Sequence, residues 1–138
     1  MARRWLDVER LERLTGWPVR SEYRRPDEPK SYPPPDAVVV APATLNTINK
    51  LAAGITDTYV LGVLAEALSR SGPLIVAPWV NSLLAAHPLL EPSLHRLRSW
   101  GVEVLYDQGA VPAAGTGPSS ATAFPWEELR ALLTRRHS

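Results

Sequence analysis

The sequence contains no cysteine. That excludes disulfides, thiolate nucleophiles and zinc–sulfur sites together, and no other metal site is predicted. No apolar run reaches the roughly 18 residues that a membrane span needs. The opening Met1-Ala2-Arg3-Arg4-Trp5 lacks the apolar core of a signal peptide, so a cytoplasmic location is the default expectation. Net charge is only +1, which gives no field to draw nucleic acid or an anionic membrane. There is no internal repeat. Gly115-Thr116-Gly117-Pro118 matches neither a phosphate-binding loop nor a dinucleotide fingerprint. What is present fits one globular domain: 138 residues, 45% of them hydrophobic. Of the 14 prolines, three stand together at Pro33-Pro34-Pro35 and three more between Pro112 and Pro125, where loops are expected.

The chain is organised around residues 36–59. Residues 37–41, rich in valine, read as a strand buried on both faces. Pro42 is expected to end it, because proline cannot donate to a sheet ladder. Thr44, Asn46 and Thr47 follow, and any of them can cap a helix. That helix carries Ile48, Leu51 and Ala52 on one face and stops at Gly54. In a parallel sheet such a turn lies at the carboxyl end of a strand, beside a helix amino end. Free N–H groups and the helix dipole favour a small anionic or polar ligand there. The pattern recurs. Residues 74–77 read as a second buried strand ended by Pro78, which brings residues 79–82 to the same sheet edge as residues 44–47. Asn81 can cap a short helix over residues 82–86, or present its amide to a ligand.

Asp7, Val8, Leu11, Leu14 and Gly16 describe a short packing helix. Residues 18–35 form a charged, proline-rich connection. It is either a solvated loop or a loop over a ligand, with Arg24 or Arg25 gripping a phosphate or carboxylate. Asp57 is expected to cap a helix reaching about Arg70. Its apolar residues run nearly all round, so it must be buried on more than one side, in part against another subunit. Glu91-Pro92 opens a helix with Leu94, Leu97 and Trp100 facing inward and Gly101 at its end, and His95 belongs to the surface. Residues 102–106 read as a strand nearer an edge, and Pro125-Trp126 starts a last helix. Strands alternating with helices predict a parallel α/β fold. It divides into an N-terminal helix and loop (1–35), a core (36–106), a glycine- and proline-rich segment (107–125) and a C-terminal helix (126–138).

A resemblance sharpens this reading. Pro42-Ala43-Thr44-Leu45-Asn46-Thr47, continued through Lys50, Gly54, Ile55 and Asp57, resembles the Pro-Ala-Ser-Ala-Asn-Thr segment of the FMN-binding flavoproteins related to phosphopantothenoylcysteine and peptidyl-cysteine decarboxylases. Thr44 replaces serine and Leu45 replaces alanine. The family's second motif, Pro-x-Met-Asn-x-x-Met-Trp, is echoed by Pro78 and Asn81. The likeness runs from about Leu11 to Glu128 and is closest to short actinobacterial members. It implies a three-layer α/β/α Rossmann-like flavoprotein fold with a parallel sheet, and FMN as cofactor. It implies that Pro42, Ala43, Thr44, Leu45, Asn46, Thr47 and the backbone at Trp79 bind the flavin. Asn81 would bind the carboxylate or amide of a small-molecule or peptide substrate, in a flavin-dependent oxidoreductase or decarboxylase-like reaction. It also implies a homo-oligomer, a trimer or larger.

The chain departs from the family at three places. Counting back from Asp36 by the family's spacing puts Glu28 where its catalytic histidine stands, and no histidine precedes His87. The segment 107–125 has the position and glycines of the family's substrate flap but no cysteine. Catalytic residues are therefore unassigned, with Glu28, Tyr32 and Tyr59 as candidate replacements for the base. Finally, the match begins after the family's first βαβ unit, whose loop holds the FMN phosphate. The fold is thus read as N-terminally truncated, with an apolar strand edge exposed and weak FMN binding by this chain alone. The alternative is a non-catalytic flavin- or partner-binding subunit. A nicotinamide-nucleotide binder fits less well, for want of the glycine fingerprint.

Overall fold

The computed structural model describes residues 6–28, 32–106 and 124–136. The β-branched and apolar runs form β1 (Val38–Ala43), β2 (Leu74–Pro78) and a short β3 (Glu103–Val104). All pair in parallel in the order β1-β2-β3. Val38, Val39 and Val40 stand opposite Leu74, Ile75 and Val76. Period-two alternation then sends successive side chains to opposite faces. Leu74 and Val76, with Val38, Val40 and Val104, meet α2 (Leu45–Ala52), α3 (Tyr59–Leu68) and α5 (Leu90–Ser99). Ile75 and Ala77, with Val39, Ala41 and Leu105, meet Phe124 and α6 (Trp126–Arg136). The result is the expected helix–sheet–helix layering. Ile48, Ile75, Leu90, Leu94 and Leu97 are fully buried at its centre, each worth about 1.5–3 kcal/mol by removal from water.

Two polar contacts fix α2 against α5. The Ser93 hydroxyl donates to Asn49 Oδ1 at 2.8 Å, and the Arg96 guanidinium donates to the Ala52 carbonyl at 3.2 Å. Since α2 begins directly after β1, this joint also fixes where its amino end stands.

Several expectations need correcting. β1 is half-buried rather than buried on both faces, because it is the edge strand. Among the described residues nothing pairs with its outer side. Val38 donates its N–H to the Pro73 carbonyl at 3.0 Å, so the alternating backbone groups of Val39 and Ala41 face outward. Pro42 does not end β1. The chain passes through a cis Ala41–Pro42 bond and a register irregularity, then pairs Ala43 with Pro78. A missing donor is tolerated on an edge strand. Thr58, not Asp57, caps α3, accepting from Leu61 N–H at 3.2 Å. Asp57 instead pairs with Lys50 at 2.8 Å, and α3 stops at Leu68. Trp100 is 47% exposed rather than inward, since it occupies the C-cap position of α5. α1 (Val8–Thr15) has the expected Asp7 cap and a left-handed Gly16, but it buries no residue.

The charged connection before β1 is tacked down by Tyr23, whose hydroxyl lies 3.2 Å and 3.0 Å from the carbonyls of Thr56 and Thr58. Gly62 leaves room for it, because any Cβ there would run into the Tyr23 hydroxyl. Among the described residues no helix is long and apolar enough to cross a membrane.

Candidate functional site

Parallel pairing carries the ends of β1 and β2 to one edge, and two turns leave the sheet there. The first is built by Thr44. Its extended backbone (φ −82°, ψ 158°) stands just outside α2. Its Oγ1 accepts from the Thr47 N–H at 3.2 Å and donates to Thr47 Oγ1 at 3.1 Å. The N–H groups of Leu45 and Asn46 have no intrahelical acceptor, as at any helix start. They open at the positive end of the α2 dipole. No acidic residue occupies that first turn, so nothing in it competes with an incoming acceptor. Ala43 and Leu45 are buried and shape the turn from beneath, whereas Pro42 and Asn46 are exposed and Thr47 is half-buried.

The second turn is tied to the first. The Trp79 backbone N–H donates to the Ala43 carbonyl at 3.0 Å. Val80 is buried and anchors the turn. Asn81 caps α4 (Ser82–Ala85), its Oδ1 accepting from the Leu84 N–H at 3.0 Å. That cap uses the amide oxygen and leaves the two amide N–H donors for a group outside the helix. Asn81 therefore fills the capping role without losing its donor function. Every residue expected to bind flavin or substrate, from Pro42 to Thr47 together with Trp79 and Asn81, thus stands on this one edge.

The candidate bases are engaged elsewhere. Glu28 lies 3.9 Å from Arg20, the Tyr32 hydroxyl donates to the Pro18 carbonyl, and Tyr59 meets Tyr23 edge-on at 5.8 Å. Arg24 donates to the Glu28 carbonyl at 2.7 Å, so it braces its own loop. His87 accepts from the Leu89 N–H at 3.0 Å within a turn, and His95 is exposed on α5. Residues 107–123 of the expected flap lie outside the described residues.

Two residues escaped the sequence reading. Tyr106 lies two residues past β3, which is shorter than the strand expected over residues 102–106, at the same end of the sheet. Its pKa is raised from the ordinary 10.0 by burial and then by the charge of Glu91. Its place as the last residue of that expected strand was the available clue. Phe124 packs edge-on against Trp79, with ring centres 5.7 Å apart at 81°. Nothing local in the sequence marks that contact. A cleft lined by Pro34, Pro35, Asp36, Arg70, Ser71 and Gly72 lies at the opposite, amino end of the strands and is no part of this edge. Among the described residues no group of three or more histidine, aspartate and glutamate side chains is placed to hold a metal ion.

Comparison with known proteins identifies the family. The Flavoprotein family profile matches residues 5–137. The coenzyme A biosynthesis bifunctional protein CoaBC of Thermococcus kodakarensis is 37% identical over 82 residues, covering 57% of this chain and 20% of that one. A cysteine/cysteine sulfinic acid decarboxylase from an unknown prokaryotic organism is 32% identical over 99 residues, covering 72% and 27%. The chain thus spans a minor part of both relatives. Among solved structures, HAL3 from Cryptococcus neoformans is 28% identical with a TM-score of 0.53, covering 72% of this chain and 50% of that one. The FMN-dependent cysteine decarboxylase SpaF shares the fold, with a TM-score of 0.62 at 21% identity over 92% of this chain and 75% of that one.

Proposed function

The chain belongs to the flavoprotein family, and from that premise we propose that it binds FMN at the carboxyl edge of β1 and β2. The observation that carries the proposal is the pair of turns joined by the Trp79-to-Ala43 hydrogen bond, beside the uncapped N–H groups of α2. This donor set fits a flavin ring. Its polar rim offers carbonyl oxygens and an N–H, and the edge offers backbone N–H groups, the Thr47 hydroxyl oriented by Thr44, and the Asn46 amide, with no carboxylate in the α2 first turn.

In this reading Thr44, Asn46 and Thr47 hold the polar rim of the ring. Pro42, Ala43 and Leu45 shape the turn, and the Trp79 backbone borders the flavin. The free amide N–H groups of Asn81 hold the carboxylate or amide of a small molecule or peptide end. Bound flavin supplies the acceptance of a hydride or electron pair, while the protein orients the substrate and keeps its reacting bond against the ring. The reaction class is oxidoreductase or decarboxylase-like, in a cytoplasmic setting. Its acid–base residues are unassigned: Glu28 lies beside Arg20 and the Tyr32 hydroxyl donates to the Pro18 carbonyl, while Tyr59 is placed only by its ring against Tyr23. The same proposal treats residues 1–138 as one domain that assembles with copies of itself.

A second reading is a flavin- or partner-binding subunit without catalysis. It is favoured by the absence of cysteine and by the positions of His87 and His95, in a turn and on an exposed helix face. An anaerobic assay separates the two. Bleaching of protein-bound FMN by peptides ending in cysteine, or by small cysteinyl acids, supports the enzyme. Bound FMN that none of these substrates reduces supports the subunit.

A further inference from the structure

We propose that Phe124 is a positioning residue of the flavin edge, acting through the ring of Trp79. The inference rests on the reading that FMN lies against the turn after β2. Trp79 sits in neither strand nor helix, so the orientation of its large side chain is set by its contacts. Phe124 supplies a wall among them. It is 4% exposed and meets the indole edge-on. It is itself wedged on the other side by Trp126, with ring centres 4.5 Å apart. Below, it packs with Ile75 and Ala77 of β2 and with Leu129 of α6.

The Phe124 backbone is also fixed, because its carbonyl accepts from the Trp126 N–H at 2.8 Å. Phe124 is thus bound to the central strand and to the start of α6, and it passes that rigidity to a side chain at the ligand edge. Trp79 in turn is hydrogen-bonded through its backbone to Ala43, so a displaced indole disturbs both turns. An edge-to-face aromatic pair is of the size to change affinity by roughly threefold to tenfold.

The test is a titration of FMN fluorescence with the full chain carrying Phe124→Leu, Phe124→Met, Trp79→Leu, or Trp79→Leu with Phe124→Leu, with melting temperatures measured alongside. Leucine and methionine keep the apolar volume, so either variant stands in if the other fails to fold. The expected result is FMN bound roughly threefold to tenfold more weakly by the Phe124 variants, with an altered visible circular dichroism of the bound flavin. No further loss is expected when Phe124→Leu is added to Trp79→Leu. Wild-type affinity in the folded Phe124 variants overturns the inference, as does an undiminished loss in the double variant, which marks a purely structural role. If the wild-type chain binds no FMN, the flavin reading itself fails and this inference falls with it.

Discussion

Gly72 shows how a single position constrains this fold. Its φ of +121° is one that side-chain-bearing residues avoid, and a Cβ there would meet the Asp36 carbonyl at 2.7 Å. Gly72→Ala should therefore cost roughly 2–3 kcal/mol, read as a lower urea midpoint with unchanged slope. Tyr106 adds a pH dependence. Its folded pKa lies above 10.0, first through burial and then through Glu91. The fold therefore retains the phenol proton more tightly than the unfolded chain does. This contribution is complete below the unfolded value and is lost as pH rises through the folded one. Stability should fall above about pH 10, and Tyr106→Phe should flatten that alkaline limb in urea melts recorded across it.

At the scale of elements, the joint between α2 and α5 sets the ligand edge. Leu94 is fully buried in α5, so Leu94→Ala should destabilise by about 2–5 kcal/mol. Because α2 loses support with it, flavin affinity should fall in the same variant at temperatures where it is still folded. Titration beside thermal unfolding checks both effects. These elements also mark what the sequence reveals. The valine run, the Pro-capped second strand and the threonine turn are local patterns, so both strands, α2 and their shared edge were legible in it. The roles of Pro42 and of Thr58 were not. Pro42 continues β1 because that strand is at an edge; the exposed edge was expected, but not its tolerance of Pro42 within the strand. Asp57 is locally the better cap, but its carboxylate is taken by Lys50, seven positions away in the chain and only 2.8 Å from it in the fold. Phe124 was hidden for the same reason, since its partner Trp79 is distant in sequence.

For the whole molecule, two surfaces call for partners. The outer edge of β1 presents the backbone groups of Val39 and Ala41, and α3 shows Val60 and Val63, 47% and 36% exposed. A contiguous exposed apolar face is a usual mark of association. The all-round apolar character of α3 led to the expectation of a neighbouring subunit, and in the single chain Val60 and Val63 lie on its uncovered side. Light scattering should give a mass several times the 15.2 kDa of one chain. Val63→Lys should shift that mass toward the single chain without lowering the far-ultraviolet helical signal. A wild-type mass of one chain at every concentration would contradict the assembly.

The measurement that tests the account most directly is a fluorescence titration of FMN with the wild-type chain and with Thr44→Val. The variant keeps the size of the side chain but removes the hydroxyl that caps α2 through the Thr47 N–H and orients the Thr47 hydroxyl at 3.1 Å. The account predicts saturable quenching by the wild type, and binding by the folded variant weakened roughly tenfold, as for loss of one or two hydrogen bonds. Absence of saturable binding by the wild type, or equal affinity in the variant, would contradict it.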